Sequence, residues 1–151
     1  MAEINFHFTE GIKTADLPVD RYQSLAESIC TMFNAADAQL SIAVVDDKQM
    51  AELNKKFTGR DIATDVLSFD LSGDQGRVFE VIVNADKATR QATLRNLNFD
   101  AELALYITHG LLHGLGFDDS TDELAEQMHR KEDEILQQNS CLLYTSDAAD
   151  E

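Results

Sequence analysis

Basic residues are scarce in this chain: 12 Lys and Arg stand against 28 Asp and Glu, for a formal net charge of −16. A protein that binds nucleic acid through overall charge normally carries a basic footprint, so binding of that generic kind is disfavoured. The acidity is uneven. Residues 1–100 hold 10 basic against 16 acidic side chains, whereas residues 101–151 hold 2 against 12. Two small basic groupings remain, Lys55, Lys56 and Arg60, then Lys87, Arg90 and Arg95. Each reads equally as a solvated helix face or as a phosphate contact.

Proline occurs once and cysteine twice. So little proline, with 44% hydrophobic residues and no repeat or low-complexity run, argues against a disordered or collagen-like chain. Cys30 and Cys141 are far apart and form no CxxC or zinc-ribbon pattern, which suits free thiols in a reducing compartment. No run of about 18 apolar residues exists, so no membrane-spanning helix is expected. The first residues lack the basic and apolar regions of a secretory signal, and a cytoplasmic location follows as the expectation. A length of 151 residues fits one domain with a sizeable core.

What is present centres on residues 106–119. Four residues separate His109 from His113, which on an α-helix puts both imidazoles on one face, one turn apart, as a divalent metal requires. Gly116 follows three residues later, where a positive φ can stop the helix and swing the chain back. Asp119 is then placed to add a carboxylate. His109, His113 and Asp119, with a fourth position left for water, form a catalytic rather than a structural metal set. The bland alternative is a core helix with a glycine cap and an acidic loop, in which Leu111, Leu112 and Leu115 are core all the same. It must explain why the histidine pair, the glycine and the acid coincide within eleven residues.

Hydrophobic periodicity organises the rest. Residues 4–8 alternate as a strand with His7 on the polar face, and Pro18 opens a helix with Leu25, Ile29, Met32 and Phe33 at helical spacing. Residues 40–45 read as a strand, followed by a helix capped by Asp46 or Asp47 and containing Met50, Leu53 and Asn54. A polar connection over 57–63, punctuated by Gly59, leads to a strand at 64–69. The turn at 72–76 predicts that the next strand, 78–83, is antiparallel to it. A polar helix over 85–95 precedes the histidine helix, which Asn98 or Asp100 caps and which carries Leu103, Ile107 and Leu111 on one stripe. Ser120 or Thr121 begins a last helix with Leu124, Met128 and Ile135, and with His129 exposed among Arg130, Lys131 and Glu132.

This order predicts an α+β fold: a four-stranded mixed sheet covered by helices, with a central metal-binding helix. That helix should pack on the sheet and present its polar edge to a cleft beside the third strand. Val66, Leu67 and Phe69 of that strand are expected in the core, while Asp65 and Ser68 can wall the cleft. Residues 1–138 form one metal-dependent hydrolase domain. The tail, residues 139–151, changes composition and looks foreign to the working fold.

Leu53-Asn54, Thr64-Asp65-Val66-Leu67-Ser68-Phe69, and His109-Gly110-Leu111-Leu112-His113 with Gly116-Phe117-Asp118 together resemble the YbeY family of bacterial endoribonucleases and rRNA maturation factors. The resemblance spans most of residues 1–138. It implies a zinc-dependent, single-strand-specific endoribonuclease in small-subunit ribosomal RNA maturation and ribosome quality control, with ribosomal RNA and the ribosome or its proteins as partners. Two departures stand out. The family pattern ends in a third histidine where this chain has Asp119, a harder oxygen donor. Many members also carry an arginine just before the glycine of the connection, where Thr58 sits here. Arg60, two residues on, is the candidate substitute for holding phosphate.

The expected machinery is therefore one zinc ion on His109, His113 and Asp119, with His109, His113 and Arg60 as the catalytic set. Zinc lowers the pKa of its water to about 7, so a hydroxide can attack phosphorus or deprotonate the ribose 2′-OH. Lys55 or Lys56 would assist Arg60, and Asp118 either orients a ligand or lies in a solvated turn. Two rivals remain. The spacing is metalloprotease-like, but a metallopeptidase places a glutamate base directly after the first histidine, where this chain has Gly110. The acidic surface also suits a ribosome-associated factor with a mainly structural metal, since it attracts basic proteins and repels free RNA.

Overall fold

The computed structural model of the protein describes residues 2–9, 12, 17–74 and 76–139. Within them the elements follow the expected order: β1 (Glu3–Phe8), α1 (Val19–Met32), β2 (Gln39–Val45), α2 (Asp47–Thr58), β3 (Val66–Asp70), β4 (Val78–Asn84), α3 (Ala85–Arg95), α4 (Phe99–Gly114) and α5 (Asp122–Gln138). The four strands make one mixed sheet in the order β1-β2-β4-β3. β1 and β4 run parallel to β2, and β3 runs antiparallel to β4 as the intervening turn implied. His7 lies on the exposed face of β1.

Strand periodicity decides what each face buries. Leu40, Ile42 and Val44 of β2 and Phe79, Val81 and Val83 of β4 turn to one side, where each is at most 2% exposed. There they join Leu25 and Ile29 of α1, Leu103, Ile107 and Leu111 of α4, and Met128 and Ile135 of α5. On the other face Val45 and Ile82 pack with Met50 of α2, joined by Leu53, Leu67 and Phe69. The inner strands β2 and β4 thus bury apolar side chains on both faces, the second face doing so towards the strands' C-terminal ends and carrying Gln39, Ser41 and Glu80 nearer their starts.

Side-chain caps settle the helix starts. Asp46 accepts from the Gln49 N–H at 2.9 Å, and Asn84, Asn98 and Thr121 cap α3, α4 and α5 in the same way. α2 runs further than the polar connection suggested and takes in Phe57 and Thr58. Gly59, at φ 82°, ends it in the left-handed conformation, with its N–H on the Lys55 carbonyl.

The expectations for three other places need correcting. β3 is the sheet's edge, so Val66, Leu67 and Phe69 are only partly buried rather than full core. It also begins at Val66, because Asp65 Oδ1 takes the Val66 N–H and the Asn84 side chain takes the Thr64 carbonyl. Met32, the last residue of α1, is 37% exposed. Leu115, just past α4, packs against the core without being enclosed by it.

Cys30 is a buried free thiol, and Cys141 lies outside the described residues. So does the tail from residue 140 onward; Asn139 closes α5, 6% exposed, with its side-chain amide donating to the Ile135 carbonyl. Among the described residues no helix is long and apolar enough to cross a membrane.

Candidate metal centre

α4 is buried nearly all round, and two glycines let it lie close on the sheet. A Cβ at Gly110 would stand 2.5 Å from Val81 Cγ1 and 2.9 Å from Val66 Cγ2, and one at Gly114 would stand 3.2 Å from Phe79 Cδ1. Ser68 Oγ reaches across from β3 and donates to the Gly110 carbonyl at 2.6 Å. With positions 110 and 114 against the sheet, the neighbouring positions 109 and 113 carry their imidazoles to the helix's polar edge. Gly110 is therefore more than a missing base: the position faces the sheet and has no room for a glutamate.

The turn after α4 completes the set. Gly116, at φ 108°, directs its N–H to the His113 carbonyl, and the Phe117 N–H bonds the Leu112 carbonyl at 2.9 Å. These are the paired bonds of a Schellman turn, which reverses the chain. Phe117 then anchors edge-on against Phe33, 5.3 Å between centroids. Asp118 accepts the Ser120 N–H at 3.0 Å and the Ser120 hydroxyl at 2.7 Å. Those bonds hold its carboxyl below the usual range and give it the work of shaping the loop.

Asp119 is left facing the imidazoles. His109 Nε2 and His113 Nε2 are 3.1 Å apart, and Asp119 Oδ2 lies 3.5 Å from His113 Nε2 and 3.8 Å from His109 Nε2. Tetrahedral ligands at about 2.0–2.1 Å from an ion stand about 3.3 Å from one another, so these three atoms fit around one divalent cation. The Asp119 side chain is 45% exposed, which leaves the far side of the triangle open to solvent.

One participant was not foreseen. Glu132 of α5 was expected on a solvated face but is 3% exposed, with Oε2 hydrogen-bonded to His109 Nδ1 and Oε1 3.2 Å from His129 Nδ1. A carboxylate on Nδ1 fixes the ring's orientation and leaves Nε2 for the metal. Burial works against a charged imidazole at His109. The Glu132 hydrogen bond and the negative charges of Glu132, Asp65 and Asp119 outweigh it and raise the pKa. His129 itself is exposed, as expected.

Beside His109 opens a cleft of about 540 Å³, walled by Asp65 at the head of β3, by Lys87, Gln91 and Arg95 of α3, by Tyr106 of α4 and by Glu132. It lies beside the third strand, as the sequence implied. Asp65 is held there because Asn84, fully buried, bonds the Asp65 carbonyl through its N–H and the Thr64 carbonyl through its amide. Arg95 Nη1 donates to Glu102 Oε1 at 3.1 Å; the Glu102 side chain is 0% exposed, and among the described residues its Oε2 has no partner. Such an unmatched buried oxygen costs about 1–3 kcal/mol. Burial, then the nearby Glu102 charge, pushes the Tyr106 hydroxyl up to about 12, so it stays a neutral donor.

Arg60 is exposed on the loop after α2 and is not among the residues lining the cleft. Its loop is fixed from below by Asn54, 4% exposed, whose amide donates to the Ile62 carbonyl at 3.0 Å. The Thr58 hydroxyl, 2.7 Å from both the Asn54 carbonyl and Asn54 Oδ1, belongs to the same tie.

Fold and site together define an α+β protein whose long helix presents a two-histidine, one-carboxylate set able to hold a metal ion. The chain belongs to the endoribonuclease YbeY family, whose model matches residues 7–140. The endoribonuclease YbeY of an Anaeromyxobacter species is 39% identical over 118 residues, covering 76% of this chain and 62% of that protein. That of Syntrophotalea carbinolica is 33% identical over 138 residues, covering 86% of this chain and 92% of that protein. The chain thus spans less than two thirds of the first relative and most of the second. The solution structure of TM1509 from Thermotoga maritima has the same fold, with a TM-score of 0.69 at 24% identity over 100% of this chain and 96% of that one.

Proposed function

We propose that this chain is a zinc-dependent endoribonuclease that cleaves single-stranded RNA in small-subunit ribosomal RNA maturation and ribosome quality control, in the cytoplasm. The observation that carries the reading is the convergence of His109 Nε2, His113 Nε2 and Asp119 Oδ2 within 3.8 Å of one another in a chain of an endoribonuclease family. Two imidazoles and a carboxylate suit zinc, and when bound such an ion polarises a phosphoryl oxygen and makes water a nucleophile near neutral pH.

The chain's own residues supply the rest. Glu132 keeps the His109 ring in one orientation, and the Schellman turn with the Asp118–Ser120 bonds holds Asp119 opposite the imidazoles. Arg60, helped by Lys55 or Lys56, approaches the scissile phosphate from the loop after α2. The missing room at Gly110 argues against a peptidase, which needs a base at that position. The net charge of −16 supports one second reading, a factor that assembles with basic ribosomal proteins and holds its metal for structure.

Purified protein assayed on single-stranded RNA with zinc and with a chelator tests both. Cleavage that the chelator abolishes, and that His113→Ala loses along with bound zinc, is the expected result. Undiminished cleavage by metal-free protein overturns the metal's part, and cleavage only after ribosomes are added favours the second reading.

A further inference from the structure

A strongly acidic chain can take a polyanion only where local positive charge is held against the general field. Near the metal centre that occurs on one wall of the cleft. Lys87, Gln91 and Arg95 recur every four residues on α3, so they lie on one face and span about 12 Å of helix. The third basic residue of this helix, Arg90, is committed elsewhere, to both carboxylate oxygens of Asp47. Arg95 gives one donor to Glu102, and its side chain is still 51% exposed. Asp65, Glu132 and Asp133, which also line the cleft, are acidic and would repel a phosphate, so a strand there would be held by the cations of α3.

Glu102 supplies the second observation. It is 1% exposed, spends one oxygen on Arg95 and among the described residues leaves the other without a partner. A buried charge with half its bonding capacity unused is a poor device for stability, since a hydrophobic residue of similar size commonly serves better. What it achieves is to fix the Arg95 guanidinium at the cleft wall.

We propose that Lys87, Gln91 and Arg95 form the track that holds the phosphate backbone of the RNA strand beside the metal centre, and that Glu102 is the residue that positions Arg95 in it. The inference rests on the endoribonuclease reading, and it locates binding of the flanking strand on α3, apart from the contact assigned to Arg60. Lys and Arg supply charge, and Gln91 offers an amide between them. The track exceeds the axial rise of about 3.4 Å per nucleotide in a stacked strand, so it accommodates more than one phosphate.

The test uses a fluorescent single-stranded oligoribonucleotide, with binding read by anisotropy in the presence of chelator over a range of salt, and cleavage kinetics read with zinc. K87Q/R95Q should bind at least about tenfold more weakly, since two charge-assisted bonds are lost. Its log–log salt slope should flatten by about 1.4, near 0.7 for each phosphate contact removed. KM should rise by a similar factor with kcat changed less than twofold. E102Q should raise KM in the wild-type background and have no further effect on R95Q; a merely structural Glu102 would add its effect to both. Wild-type protein that cleaves while K87Q/R95Q keeps its affinity, salt slope and KM overturns the track alone. Wild-type protein that neither binds nor cleaves RNA overturns the endoribonuclease reading beneath it. Lys87 is half-buried and Arg95 is the partner of buried Glu102, so each variant is also melted, and assays run below its thermal midpoint separate loss of binding from loss of fold.

Discussion

Glu132 is the residue that turns two neighbouring histidines into an oriented cluster able to hold a metal ion. It is not itself one of the three clustered residues, yet its bond to His109 Nδ1 determines which nitrogen of that ring faces Asp119. Removing such a partner lowers metal affinity by about 10–100-fold in comparable sites, and Glu132→Ala should do the same here, read by competition with a chromophoric zinc chelator. An unchanged affinity would reduce Glu132 to a packing residue. At Asp119 the expected effects run in opposite directions: Asp119→Ala should weaken zinc binding, whereas Asp119→His supplies a nitrogen donor and should keep or strengthen it. Equal affinity for wild type and Asp119→Ala would remove Asp119 from the ligand set. The His109–His113–Asp119 cluster was legible in the sequence because two of its members share a helix and the third follows a glycine stop, so spacing alone brings them together. Glu132 was not legible. Beside His129 at i,i+3 it resembled a surface pair, and its burial arises only when α5 docks on α4. The pairing of Arg95 with Glu102 was hidden for a similar reason, since the chain between them turns at Asn96 with φ 57°.

Between elements, α4 lies close on the sheet, and Gly110 sets that approach. Helix propensity alone would make Gly110→Ala stabilising by about 1 kcal/mol. Against this stands a Cβ 2.5 Å from Val81 Cγ1, a separation that forces movement of two packed layers. Overpacking of that kind costs about 1–3 kcal/mol, so the sum favours destabilisation, measurable by denaturant unfolding. Val81→Ala removes the nearest colliding methyl and leaves Val66 Cγ2 at 2.9 Å, so G110A/V81A should be more stable than the two single effects added together. Strict additivity would show that the contact is not the cause. The order of elements was readable because the apolar periods are clear and several helices open on a capping residue, Asp46, Asn98 and Thr121 among them. Their ends were less so. Phe57 and Thr58 looked like connection because their neighbours are polar, but the helix continues until Gly59 can take a positive φ. The partial burial of β3 depends on its place at the edge of the sheet, which strand periodicity does not specify.

Across the whole molecule, the tie that joins the two sides of the sheet is electrostatic. Asp47 at the start of α2 takes both ends of the Arg90 guanidinium from α3, at 2.6 and 3.1 Å, and the buried Asn84 amide from β4 at 2.8 Å. The Arg90 hydrogen bonds, then that of Asn84, hold the Asp47 carboxyl below its ordinary pKa. A carboxylate depressed in the folded state adds stability that is complete above its unfolded value, about 3.9, and is lost as pH falls through the lower folded value. Acid also relieves the mutual repulsion of a chain with 28 acidic residues, which acts in the opposite direction and obscures the effect in a single melting curve. The comparison with Asp47→Asn removes that common background. Asp47→Asn should be less stable than wild type at neutral pH, by an amount that stays constant down to about pH 5 and shrinks as pH falls below about 4. On an Arg90→Gln background the same substitution should show a much weaker pH dependence, because the partner that depresses the carboxyl is gone. A gap between wild type and Asp47→Asn that widens with acid would mean that α2 is held by the shape of residue 47 and not by its charge.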